Sequence, residues 1–560
     1  MTKSIKIMCA PLLAALLASG IVVAQQRKSA PARINENGVR AHIKYLSDDL
    51  LEGRGPGARG GDLAAKYIAT QLEALGLKGA GAQGSFFQPV SLVGVKADPQ
   101  TKLIIEAKER KDARETFKFA DEFVAFTGAQ TEQVTINTEL VFVGYGINAP
   151  EQKWNDYKGE PQDYRDKILV IMVNDPPATA REPGLFGGRA LTYYGRWTYK
   201  FEEAARRGAA GVILLHTDES AGYPWSVVRT SNGSWRFDIA RGASDQTPFL
   251  KMRAWMTNEA ARRMMQLAGL DLDALRKQAA SRDFKPVPLR LQASINLNSE
   301  LKRVEAPNVA GVLEGRDAKL RDQYVIYSAH WDHFGIGEPN SKGDRIYNGA
   351  LDNATGVACV IGIAEALSKL PLNERPRRSV LFLLTTAEEQ GLLGAEWYAR
   401  HPLVPLAKTA ANVNLDSMNI LGPTRDFVPL GAERSALKTV VETIGREMGL
   451  QVGVDPRPEQ GSFYRSDHFP FARAGVPSIS LEGGKDFVGH TPDWGEKQFE
   501  AYNTANYHQP SDEYSDAWNF EGMMQQTEIA LDLGLRIANM DEMPHFNPGD
   551  EFAQADINRR

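Results

Sequence analysis

Apolar and polar positions change rhythm twice along this chain of 560 residues. Near the start, apolar side chains recur every three or four residues. That spacing predicts helices over 36–52 and 62–77. In the second, Leu63, Tyr67, Ile68, Leu72 and Leu75 share one face and Gly76 suits the C-terminal cap. Between them, Gly53-Arg54-Gly55-Pro56-Gly57 reads as a turn-rich loop. From 85 to 135 the runs are short and strand-like. Strands over 139–147 and 167–174, a helix over 201–207 and a strand over 211–215 follow as a β-β-α-β unit. Helices over 257–281 come next, and Pro286 and Pro288 mark an exit.

From about 300 the rhythm becomes alternation. Strands apolar throughout are expected at 323–329, 379–386, 411–415 and 476–481. Helices are expected at 355–369, 391–400, 434–449 and 521–540. Such alternation predicts an α/β fold with a mostly parallel, mixed sheet sandwiched by helices.

Composition narrows the picture. A length of 560 residues exceeds one core and implies two or three domains. A net charge of −5 without a dense Lys/Arg stretch argues against nucleic acid as a partner. Lys3 and Lys6 precede an apolar run over 7–17 and small residues up to Ala24, the pattern of a cleavable signal peptide over 1–24. That run is shorter than the ~20 apolar residues of a membrane span. The expectation is a secreted or periplasmic protein with no stable membrane anchor, and with no comparable apolar run further on. Cys9 falls in the signal, which leaves Cys359, flanked by Val357, Ala358 and Val360, as a buried inert thiol.

The candidate chemistry lies just past the strand ends. His330 and Asp332 follow the first strand of the alternating part, Glu388 and Glu389 the second, and Asp416 the third. In a parallel sheet the C-terminal strand ends share one edge, where ligands bind. Asp352 sits in a loop between Gly349 and Gly356, and its two oxygens can bridge two cations. With His508 these make two histidines and three carboxylates, a donor set for two divalent ions such as zinc. Asp332, two residues past His330, is placed to accept that imidazole's other N–H. His333 should point away along an extended chain, and the lone His216 reads as structural. Adjacent Glu388 and Glu389 need different roles, one holding metal and one taking a proton from water.

The motifs His330-Trp331-Asp332-His333, Asn348 to Gly356, Thr386 to Gly394, Asn414-Leu415-Asp416 and Tyr507-His508 resemble those of the secreted bacterial di-zinc aminopeptidases. That wider family also contains glutamate carboxypeptidase and glutaminyl cyclase. The resemblance covers 300–540. It implies that Asp352 bridges, that His330 and Asp416 complete one zinc site, and that Glu389 and His508 complete the other. It makes Glu388 the general base and Tyr507 a hydroxyl that polarises the substrate carbonyl. Arg465, Asp467 and His468 match a loop near the substrate.

Residues 139–215 also look like a protease-associated domain, a β-rich insertion. The expected layout is a signal peptide over 1–24, a lead-in over 25–130 and the insertion over 131–290. The catalytic domain over 291–542 and a flexible tail over 543–560 complete it. The implied activity is that of a di-zinc exopeptidase acting on peptides, first of all an aminopeptidase. A carboxypeptidase or cyclase of the same fold is the alternative. A non-catalytic, receptor-like homologue is a further one, against which the complete ligand set argues.

Overall fold

The computed structural model describes residues 33–233, 235–242 and 244–560. The expected signal peptide lies outside the described residues.

Two large sheets organise the chain. In the first, Asn308–Leu313, Ser379–Thr385, Tyr324–His330, Thr409–Asn414, Ser478–Gly483 and Asp426–Leu430 lie side by side in that order. The four inner strands run parallel, whereas Asn308–Leu313 and Asp426–Leu430 flank them antiparallel. Every residue of Ser379–Thr385 and of Thr409–Asn414 is buried. Helices cover both faces, which is why 380–384 is apolar without alternation, whereas the buried Asn412 and Asn414 donate to Ser328 Oγ at 2.9 Å and Ser466 Oγ at 2.8 Å. Thr355–Ser368 and Phe520–Asn539 pack on one face together with the lead-in helices Glu36–Leu46 and Arg59–Ala74. Leu393–Arg400 and His468–Arg473 cover the other, through Ala395, Tyr398 and Phe471.

Some expectations change. Leu63 does not join the buried face of its helix and is 37% exposed, because Ala64, Ala65, Ile68 and Leu72 turn inward instead. A second apolar run does occur, since Ala350–Ser368 is long and apolar enough to cross a membrane. Its apolar window is 94% buried inside the protein, so it is a core helix.

The second sheet has ten strands. It is built around Val287–Glu305, a strand of 19 residues that pairs with Ser91–Ala97, Lys102–Ala107 and Gln133–Phe142. The expected insertion edges at 131 and 290 therefore fall inside this sheet. Pro288 is not an exit: it sits near the start of the long strand, beside a register shift where a missing N–H is tolerated.

The C-terminal segment is not a loose tail. Phe546 and Phe552 are buried with Phe463 and Phe469. The helix Ala553–Arg559 brings Arg559 onto the carbonyls of Leu406 at 2.8 Å and Thr409 at 3.0 Å. Aromatic residues spaced among polar ones carried no periodic signal in so short a stretch.

Candidate metal centre

The parallel strands deliver their donors to one edge. Tyr324–His330 ends on His330, Thr409–Asn414 leads to Asp416, and Ser379–Thr385 leads into the turn that holds Glu388 and Glu389. Several turns here are left-handed at residues other than glycine: Ala387 (φ 53°), Ser417 (φ 52°) and His508 (φ 57°). Such backbone costs about 1–3 kcal/mol per residue and collects at functional sites. Gly349 (φ 53°) could not be replaced, because a Cβ there would lie 2.2 Å from the Asp352 carbonyl oxygen and 2.6 Å from the His333 ring.

Asp352 stands at the middle. Its Oδ1 is 3.2 Å from His330 Nε2, and its Oδ2 is 3.4 Å from His508 Nε2. Asp416 Oδ1 lies 3.5 Å from His330 Nε2, and Glu389 Oε2 lies 3.1 Å from His508 Nε2. Each oxygen of one carboxylate thus faces a separate histidine-acid pair. Glu388 is on the His330 side, with Oε2 3.9 Å from Nε2, and lines the open cleft.

The residues fit a pair of cations. Donor atoms of His330, Asp352 and Asp416 converge closely enough to hold one ion, and so do those of His333, Asp352 and Glu389. Buried polar atoms are normally satisfied. Here His333 Nε2 and His508 Nδ1 lack hydrogen-bond partners, and Glu389 Oε1 and His333 Nδ1 face only each other. Two histidines and three carboxylates with such orphaned atoms suit a borderline-hard divalent cation.

Charge separates the adjacent glutamates. Burial, then Glu389 and Asp416, pushes the Glu388 carboxyl well above the usual range against the pull of His330. Burial acts the same way on Glu389, yet His508 and His333 hold it down at about 2. The two adjacent acids thus sit in opposite electrostatic settings, as carboxylates with different tasks do.

Residues 308–532 match the model of peptidase family M28. This stretch belongs to that family. It contains all the central strands and every expected metal ligand, and it bears out the resemblance read from the motifs. A mouse protein, Aminopeptidase NAALADL1, is 30% identical over 132 residues, 23% of this chain and 16% of its own length. Aminopeptidase YwaD of Bacillus subtilis is 26% identical over 230 residues, 41% of this chain and 42% of its own. The matched stretches thus span less than half of these relatives. The solved structure of an aminopeptidase from Aneurinibacillus sp. strain AM-1 shares the fold, with a TM-score of 0.51 at 20% identity. That likeness covers 92% of this chain and 97% of the other.

Outside the expected ligands, the M28 domain is braced by residues that the motifs did not single out. Asp512 accepts the Leu351 N–H at 3.1 Å and the Asp352 N–H at 3.0 Å. Arg54, from the glycine-rich loop, is buried. It donates to Trp331 O at 2.8 Å, Asn348 O at 2.5 Å and Gly349 O at 2.9 Å. It thereby ties the His330 loop to the Asp352 loop. Gly53 (φ 69°) lets this loop approach, since a Cβ there would meet the Gly335 and Tyr347 carbonyls at 2.6 Å. From the second sheet, Arg236 donates to Glu389 O at 3.3 Å and Gln390 O at 2.7 Å, so that sheet holds the Glu388–Gln390 turn. An acid four residues past His508 and an arginine among glycines were the available signals.

Other assignments need correction. Asp332 does not take the His330 N–H on its side chain: Nδ1 lies 3.2 Å from the Asp332 carbonyl oxygen and 3.9 Å from its Oδ1. Its Oδ1 accepts the Glu388 backbone N–H at 3.1 Å instead, because the turn brings that amide to it. His333 does not point away. Its Nδ1 is 2.5 Å from Glu389 Oε1, since the chain leaves extended geometry after His330. Asp467 and His468 are fully buried and do not line the cleft. Asp467 accepts from Thr385, and the His468 ring packs edge-on against Phe463 with centroids 4.9 Å apart. Arg465 does line the cleft, as does Tyr507, whose ring stacks 3.8 Å from that of His508.

Proposed function

We propose that the chain is a secreted or periplasmic di-zinc aminopeptidase that removes N-terminal residues from peptides. The carrying observation is that Asp352 turns one oxygen to His330 and Asp416 and the other to His508 and Glu389. His330 and Asp416 would hold one ion, His508 and Glu389 the other, and Asp352 both. When bound, a co-catalytic zinc pair polarises a carbonyl and makes water a nucleophile near neutral pH.

The protein's own residues do the rest. Glu388, at the cleft wall beside His330, takes the proton of the attacking water and returns it to the leaving amine. Tyr507, also in the cleft, offers its hydroxyl to the oxyanion that develops on the scissile carbonyl. That Aminopeptidase NAALADL1 and Aminopeptidase YwaD are among the similar proteins supports the amino-terminal direction. The cleft, about 530 Å³, is walled on its far side by the insertion through Trp197, Tyr223 and Arg236. The apolar run and small residues over 7–24 support export.

Two measurements test this reading. Metal analysis of purified protein should approach two zinc ions per chain. A panel of aminoacyl nitroanilides, N-blocked analogues and C-terminally reporting peptides should show cleavage of unblocked amino termini alone. Release of C-terminal residues from N-blocked peptides would assign the carboxypeptidase direction.

A further inference from the structure

The sheet that ends on the metal ligands carries a polar stripe through an apolar layer. Asn412, Asn414 and Asp416 alternate along one strand and its exit, so their side chains share one face. Ser328 pairs with Asn414 in the parallel register and lies on that face with His330. The layer around them is otherwise apolar, with Ile326, Leu381, Leu383 and Phe471. Asn412, Ser328, Asn414 and Ser466 are all buried. Buried polar side chains are destabilising unless their hydrogen bonds are met.

The stripe is a chain of hydrogen bonds with one sense. Asn412 Nδ2 donates to Ser328 Oγ at 2.9 Å, and Ser328 Oγ donates to Asn414 Oδ1 at 2.7 Å. Asn414 Nδ2 donates to Ser466 Oγ at 2.8 Å, and Ser466 Oγ donates to Asp416 Oδ2 at 2.6 Å. Each hydroxyl accepts from one neighbour and gives its single proton to the next.

The opposite sense is open to the same atoms. With both amides flipped, Ser466 would donate to Asn414, Asn414 to Ser328, and Ser328 to Asn412. That sense would satisfy Asn412 Oδ1, which now lacks a partner. It would also leave Asp416 Oδ2 against an oxygen lone pair at 2.6 Å. An ionised carboxylate only accepts, so Asp416 selects the observed sense. The orphaned Asn412 oxygen is what that sense leaves over.

The consequence falls on the ligand. Asp416 Oδ2 is tied to Ser466, so Oδ1, 3.5 Å from His330 Nε2, is the oxygen left for a cation. Ser417 Oγ reaches that oxygen only at 3.4 Å.

We propose that Ser328 is a positioning residue for the cation site of His330 and Asp416. Two side chains, Asn414 and Ser466, separate its hydroxyl from the carboxylate. By donating to Asn414 it keeps that amide's N–H on Ser466, and hence the Ser466 proton on Asp416. This rests on the metal reading above.

Chelator titration of the zinc-loaded protein tests it. Ser328→Ala should weaken one of the two ions about tenfold or more and leave the other unchanged, the effect of a residue that orients a ligand. Ser466→Ala should weaken the same ion. The double variant should lose no more than the larger single loss, because both changes cut one chain. Unaltered affinity in Ser328→Ala, equal weakening of both ions, or losses that add in the double variant would each overturn the proposal. If the unaltered protein binds no zinc, the metal reading fails on its own account. A crystal structure of Ser328→Ala without metal then decides the hydrogen-bond chain. A Ser466–Asp416 separation beyond hydrogen-bond reach supports it, and one kept near 2.6 Å overturns it.

Discussion

Asp512 Oδ2 accepts the backbone N–H of Asp352 at 3.0 Å, while Oδ1 takes the preceding amide of Leu351. A residue that touches no proposed cation thereby fixes the carboxylate that would bridge both. Residues that orient ligands typically change metal affinity 10–100-fold. Asp512→Ala should therefore weaken zinc about tenfold or more, although every donor remains. Competition with a chelator reads this directly. Affinity equal to that of the unaltered protein would show that the loop holds its shape unaided.

Glu388 and Glu389 are neighbours with opposite demands on a proton. Glu388→Gln should retain both metals and lose about 10²–10⁴-fold in kcat, the range of a missing general base. Glu389→Gln should lose metal first. Steady-state kinetics beside metal analysis separates the two outcomes, and a Glu388→Gln protein with near-normal turnover removes that residue from proton transfer.

His468 bears on acid stability. Burial drives its imidazole down to about 3 from the ordinary 6.5, so the folded protein keeps it neutral. Below pH 6.5 the unfolded chain binds a proton that the folded one refuses until about pH 3. Stability contributed by the neutral ring is complete above 6.5 and declines as pH falls through that window. His468→Phe, which keeps an aromatic ring against Phe463, should flatten part of this decline. Thermal unfolding at pH 7, 6, 5 and 4 measures it, and parallel curves for the two proteins would refute the assignment.

Arg559 closes the far end of the chain. Its guanidinium serves carbonyls at Leu406 and Thr409, and Asp556 pairs with it at 3.2 Å. Arg559→Ala leaves two partly buried carbonyls short of a donor and should lower stability by about 1 kcal/mol. Removal of 543–560 should cost more, since it also uncovers Phe463 and Phe469. Chemical denaturation would register either change, and an unaltered midpoint after truncation would restore the idea of a loose tail.

The strands that lead to His330, Glu388 and Glu389 were legible because burial on both faces leaves a long apolar run, and the strand before Asp416 was legible although Asn412 and Asn414 interrupt it. Asp352 was legible from the glycines around it. Arg54, Asp512 and Arg236 were not, because each acts on backbone groups hundreds of residues away or in another domain, and neither motif nor period reports such a contact. The insertion's edges were missed for a related reason. Ser91–Ala97 reads as one of several short strands and 286–288 as an exit marked by prolines, and only the pairing of Val287–Glu305 with Ser91–Ala97 assigns both to the second sheet. Asp332 was expected to hold an imidazole and holds the Glu388 amide, a distinction set by a turn rather than by spacing.

Arg54 lies outside the stretch 308–532 that matches the family, yet the Trp331, Asn348 and Gly349 carbonyls inside that stretch depend on it. A piece excised at the family boundaries would strand those carbonyls in an apolar interior and let the two ligand loops part. The smallest autonomous unit is thus discontinuous, with its beginning stapled beneath its middle. On a ribosome, the ligand loops emerge long after the guanidinium that must wait for them.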